Sequence, residues 1–175
     1  ETSDTLNTPF VDDFSYRIDK PSPGLWSDQD VWVNDAMPLY QNSIGVATFD
    51  GCNGYGKPYQ PGNTATNGIS DQLTSQYINL QGATDVWLSF QYQRAGRGEV
   101  PSSSDSLVVS FYSPADSTWT QVWGEKGTGN PDAFKTAMIP VLAGILIPLG
   151  IAFVRSRHGR SVSEPRAEIP MAAAL

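Results

Sequence analysis

The chain changes character partway along, and that change limits what it can fold into. Ala137 to Val154 is a run of 18 residues without one charged or strongly polar side chain. A run of that length is about the shortest that crosses roughly 30 Å of hydrocarbon as a helix. Arg155, Arg157 and Arg160 follow directly, the cationic flank expected on the cytoplasmic side. The segment 136–154 therefore reads as a single transmembrane helix, with an ectodomain at 1–135 and a tail at 155–175 that is basic and then rich in small residues. A second reading is that the run supplies one or two buried strands. Pro140, Pro148, Gly144 and Gly150 would weaken a soluble helix, whereas a membrane helix tolerates them better.

Charge follows the same division. Residues 1–135 carry net −9 and residues 136–175 net +2, for −7 over the chain. An acidic ectodomain without a basic patch repels phosphate, which argues against a nucleic-acid partner. All five Trp and all seven Tyr precede residue 124, so the material for a packed core lies in the ectodomain.

That region reads as strands separated by turns. In Asp85–Gln93, Val86, Leu88, Phe90 and Tyr92 fall on one face, and Trp87, Ser89, Gln91 and Gln93 on the other. This period-2 alternation is the mark of a half-buried antiparallel strand. Ser106–Ser113 repeats it with Leu107, Val109 and Phe111 inward, and Ser117–Gly124 forms a third strand. Weaker strands are expected at 9–14, 30–34, 44–50 and 77–80, and another from Phe134. No convincing helical period precedes residue 136, and Gly and Pro are frequent. Many short strands with turn signals predict an all-β, antiparallel β-sandwich. Two irregular stretches, 51–75 and 94–105, read as long loops, where binding concentrates on β scaffolds.

The quoted elements carry a resemblance. Phe10-Val-Asp-Asp-Phe14, Pro23-Gly-Leu-Trp-Ser-Asp28, Asp30-Val-Trp-Val-Asn34, Ser43–Gly51 and Val86-Trp-Leu-Ser-Phe-Gln-Tyr-Gln93 together resemble the N-terminal β-sandwich of large Bacteroidota surface or secreted proteins. Those proteins are exported by the type IX secretion system and are associated with gliding or adhesion. The order of elements is also similar to MAM-type and concanavalin-like jelly rolls. The resemblance covers roughly residues 8–141. After Val141 the family's alternating Phe/Arg strand and closing strand are replaced by the apolar run. The resemblance implies a jelly-roll or MAM-like sandwich at the cell surface or outside the cell. It also implies candidate structural-calcium ligands in Asp12 and Asp13, beside which Asp50 offers a third loop carboxylate of the kind calcium takes.

The residue inventory narrows the chemistry. His158 is the only histidine and Cys52 the only cysteine, so Ser-His-Asp catalysis and His-based zinc sites have no support in the ectodomain, and no other cofactor is called for. A catalyst here would have to work with carboxylates alone. No spacing selects a glycosidase pair, and the Asp residues read equally well as turn formers. Aromatic rings in Gly/Pro-rich loops suggest contact with sugar or protein. Trp26, Tyr40, Tyr55 and Tyr59, with Arg94 and Arg97 at the head of the second loop, are the candidate ligand contacts; the competing reading puts Trp26 and Trp32 in the core. The expectation is a non-catalytic surface or secreted binding module for glycan or surface protein, with a polysaccharide hydrolase or a structural subunit of a secretion or gliding apparatus as alternatives.

Overall fold

The computed structural model describes residues 5–16, 19–59, 68–141, 150–157 and 171–174. The described residues contain eleven strands and no helix. In chain order the strands are β1 (Leu6–Asn7), β2 (Trp32–Asn34), β3 (Val46–Phe49), β4 (Gly68–Thr74), β5 (Ile78–Asn79), β6 (Trp87–Gln93), β7 (Ser106–Ser113), β8 (Thr118–Lys126), β9 (Lys135–Pro140), β10 (Gly150–Arg157) and β11 (Met171–Ala174). They form a four-stranded sheet ordered β4-β10-β7-β8, a five-stranded sheet ordered β2-β3-β11-β6-β9, and a short parallel pair β1-β5. All pairings within the two larger sheets are antiparallel.

The two larger sheets share one core. Leu73, Leu107, Val109, Phe111, Ile151 and Phe153 of the four-stranded sheet pack in a single cluster with Val33, Ala47, Phe49, Leu88, Phe90, Tyr92, Ala137 and Ile139 of the five-stranded sheet. Phe90 is the bridge: its ring meets Phe153 edge-on at 5.0 Å and Trp123 at 5.2 Å. Burying aromatics of this size supplies on the order of 2–3 kcal/mol each relative to exposure. Edge-to-face geometry adds about 0.5–1.5 kcal/mol per pair.

The period-2 readings hold in β6 and β7. Leu88, Phe90 and Tyr92 are buried while Trp87 and Ser89 are exposed, and Leu107, Val109 and Phe111 are buried. Three readings are corrected. The Pro9–Phe14 segment is not a strand; Phe14 instead adopts φ 52° and turns into the core. A side chain at the following close approach is excluded, because a Cβ on Gly45 would collide with the Phe14 carbonyl oxygen. The expected long loop 51–75 ends at Gly68, where β4 begins.

The third correction concerns the apolar run. Its described ends are strand, not helix: Ala137–Pro140 lies in β9, and Gly150–Val154 begins β10, a central strand between β4 and β7. Ile151, Ala152 and Phe153 are buried there. A strand whose successive residues are buried reads as a continuous apolar run, so length alone does not separate it from a membrane helix. No helix of the described residues is long and apolar enough to cross a membrane. Residues 142–149 lie outside the described residues.

Candidate functional site

The end of β3, the start of β4 and the end of β10 lie together and gather the charged residues. In the β4–β10 ladder Arg155 stands opposite Asp71, and the register shifts at the next step. Asp71 is 0% exposed. Its Oδ2 accepts the Gly51 N–H at 2.7 Å, and the Tyr59 hydroxyl donates to the same carboxyl. Its Oδ1 has no hydrogen-bond partner among the described residues. Arg155 Nη1 donates to the Phe49 carbonyl at 2.8 Å. The cross-strand pair thus grips the chain on both sides of Asp50, where it leaves β3.

Burial dominates the electrostatics here. It pushes the Asp71 carboxyl up to about 7, against the Gly51 hydrogen bond and the Arg155 charge, with the Asp50 charge adding to the rise. Burial likewise raises the Asp50 carboxyl, opposed by the Cys52 N–H and by the charges of Lys20 and Arg155. The Tyr59 hydroxyl is raised by burial and by the neighbouring carboxylates Asp71, Asp30 and Asp50. Such coupled, buried carboxyls are what functional sites and structural charge networks have in common.

The loop entering this site is built from turns. Asp50 Oδ1 accepts the Cys52 N–H at 2.8 Å, and Asn53 Oδ1 accepts the N–H groups of Tyr55 and Lys57. These are Asx-type bonds that fix a loop without tertiary support. Gly56 has φ 70° and closes the turn with a bond to the Asn53 carbonyl. Cys52 bridges to Pro58. Tyr55 stands at the tip, 90% exposed, and Tyr59, 39% exposed, lies at the root with its hydroxyl on Asp71.

A second exposed aromatic is held with more machinery. Gln93 is on the outward face of β6 yet is fully buried, because residues 37–39 cross over it. Its Oε1 accepts the Leu39 N–H at 3.0 Å and its Nε2 donates to the Leu39 carbonyl at 2.9 Å. Arg97 N–H donates to the Met37 carbonyl at 2.8 Å. At Gly96, φ 58°, a Cβ would sit 2.5 Å from the Met37 oxygen. The next residue out is Tyr40, 88% exposed and with φ 60°. A bulky residue in the left-handed region is strained, and its exposure recovers none of that cost by burial.

The remaining candidate residues divide plainly. Trp26, expected in a binding loop, is a core residue: 1% exposed, stacked on Phe14 and edge-on to Phe10 and Phe153, with its indole N–H on Asp12 Oδ2 at 2.7 Å. Arg94, expected as a ligand contact, is buried and holds the loop end of the fold. Its Nε donates to the Lys126 carbonyl, its Nη1 to the Asn130 carbonyl, and it pairs with Glu125. Arg97 is exposed beside the Tyr40 loop. Asp12 already receives Phe14 N–H, Tyr16 O–H and Trp26 Nε1–H. Asp13 receives Ser15 N–H. Neither is joined to Asp50 in a metal cage: among the described residues no three His, Cys, Asp or Glu side chains form a group that could hold a metal ion. Sequence reasoning missed the Tyr40-bearing loop as a unit, since its anchor is a glutamine more than fifty residues away. It also missed Asp71 and Arg155 as partners.

Neither a protein-family model nor a curated protein matches this chain. Its chemistry has to be argued from the site itself. Asp71 is sealed from solvent and cannot touch a bound sugar as placed. What the surface offers is rigidly presented tyrosine with amide and guanidinium groups at hand, including Asn42 bonded to Gln91 at 3.1 Å.

Proposed function

We propose that this chain is a non-catalytic binding or adhesion module, with a jelly-roll-like sandwich as its scaffold, acting outside the cell or on its surface. Its ligand is a glycan, met by the rings of Tyr40 and Tyr55 and by hydrogen bonds from Arg97, Asn42 and the 94–105 loop. The observation that carries this is Tyr40: an exposed aromatic with a strained, left-handed backbone, next to Leu39, whose N–H and carbonyl are both held by the side chain of buried Gln93. Rigid aromatic area presented at low entropic cost is what recognition surfaces use. The net charge of −7 favours neutral over acidic glycans, since like charge is repelled. Resemblance to gliding- and adhesion-associated domains of Bacteroidota points the same way.

The test is binding to immobilised neutral polysaccharides and to a panel of surface proteins, comparing the wild-type chain with Tyr40→Ala and Tyr55→Ala. The reading expects wild-type binding to at least one neutral glycan, weakened at least tenfold by Tyr40→Ala, as for a contact worth more than about 1.4 kcal/mol. Denaturation midpoints should stay within about 0.5 kcal/mol of wild type, as for surface changes generally. Binding to protein alone would move the ligand class; binding untouched by both variants would reject this surface.

A further inference from the structure

We propose that Asp71 is a proton-dependent lock on the Gly51–Tyr59 loop: protonated, it holds the loop against β4; ionised, it releases it. Such a lock would act on the loop whatever ligand the protein binds.

Arg155 faces the Asp71 carboxyl from β10, Asp50 from the exit of β3, and Tyr59 from the root of the loop; Asp30, ahead of β2, bears on Tyr59, and Lys20 on Asp50. There is one cation across the ladder and a carboxylate on the loop side, so the charge of Asp71 is only partly compensated. Its two hydrogen-bond donors, Gly51 and Tyr59, both belong to the segment that covers it. Oδ1 is buried and has no partner among the described residues. An unpartnered oxygen of a buried anion costs far more than one of a neutral acid. A neutral carboxyl still leaves an acceptor for Gly51, so the closed loop loses little on protonation.

Linkage fixes the sign. With the loop closed the carboxyl is pushed up to about 7; with the loop open and the carboxyl in water it returns to the ordinary aspartate range near 4. The closed form therefore binds the proton more tightly and is favoured by acid. Its advantage is complete below about 4, shrinks about tenfold per pH unit above that, and levels off past about 7. The Asx bonds at Asp50 and Asn53 are internal to the loop and survive opening, whereas the close approach of Gly54 to the Gln29 carbonyl is given up with the Asp71 bonds.

The experiment is hydrogen exchange on the full chain, read by mass spectrometry between pH 5 and 8 and corrected for intrinsic exchange rates. Amides of 51–59 are compared with those of β7. Expected is at least a tenfold loss of protection in 51–59 from pH 5 to 7, a plateau above, and no such loss in Asp71→Asn. Protection that is constant or rises with pH, or a loss equal in Asp71→Asn, overturns the proposal. Should Asp71→Asn fail to fold, the wild-type Asp71 carboxyl carbon is titrated by NMR. A midpoint near 7 that tracks the 51–59 amide shifts supports the lock, and a midpoint below 5 overturns it.

Discussion

Two buried aspartates near β10 show what satisfaction does to a carboxylate. Asp12 sits in the aromatic region, among Phe14, Trp26 and Tyr16, and receives three donors. Asp71 sits in the charged region with two donors, an oxygen with no partner among the described residues, and a second carboxylate close by. Strand β10 joins the regions: Phe153 packs on Trp26, and two residues on, Arg155 faces Asp71. Three donors make Asp12 a structural staple, whereas burial raises the Asp71 carboxyl and one of its oxygens has no partner among the described residues.

The comparison can be broken most severely from the strand that both regions share. Phe153→Ala should cost about 3–5 kcal/mol, the usual cost of emptying a core aromatic, read as a fall in the denaturant midpoint. Removing the staple comes next. Asp12→Ala leaves the Trp26 indole N–H and the Phe14 N–H without their acceptor in a buried setting; at roughly 1–3 kcal/mol per stranded group, about 3 kcal/mol should be lost, read as a fall in the denaturant midpoint. In the charged region, Asp71→Asn should stabilise the chain above pH 7 while leaving it little changed near pH 4, because only the ionised form is penalised. Its effect should run to a few kcal/mol. The smallest effect is expected outside both regions. The Glu125 carboxyl is held below its usual range, chiefly by Lys135, but Lys135 is half-exposed, so Lys135→Ala should cost no more than about 1 kcal/mol.

The same contrast explains what the sequence made legible. Strands β6 and β7 could be read from alternation because every inward position is apolar or aromatic. Strand β4 could not: two of its inward positions are taken by Asp71 and Leu73, and the polar one breaks the period. The apolar run 137–154 was readable as apolar, and as either a membrane helix or buried strands; the choice was not local, since β10 pairs with neighbours at 68–74 and 106–113 that no local window contains. Tyr40 and Tyr55 were recognisable as loop aromatics, and both are exposed. Trp26 was not separable from them, because its burial depends on Asp12 and Phe14 folding back over it. Arg94 read as a surface cation although its guanidinium serves the carbonyls of Lys126 and Asn130. In each case the missing information is a distant partner.

Burial and an oxygen without a partner among the described residues make stability depend on pH through Asp71. The direct measurement is denaturant unfolding of the full chain and of Asp71→Asn at a series of pH values from 4 to 8. Because the folded state raises the Asp71 carboxyl to about 7, its contribution is present in full below about 4 and is lost as pH rises to about 7. The account predicts that wild type falls progressively below Asp71→Asn across that interval and then runs parallel to it. Curves that stay parallel throughout, or a wild type that gains on the variant as pH rises, would contradict it.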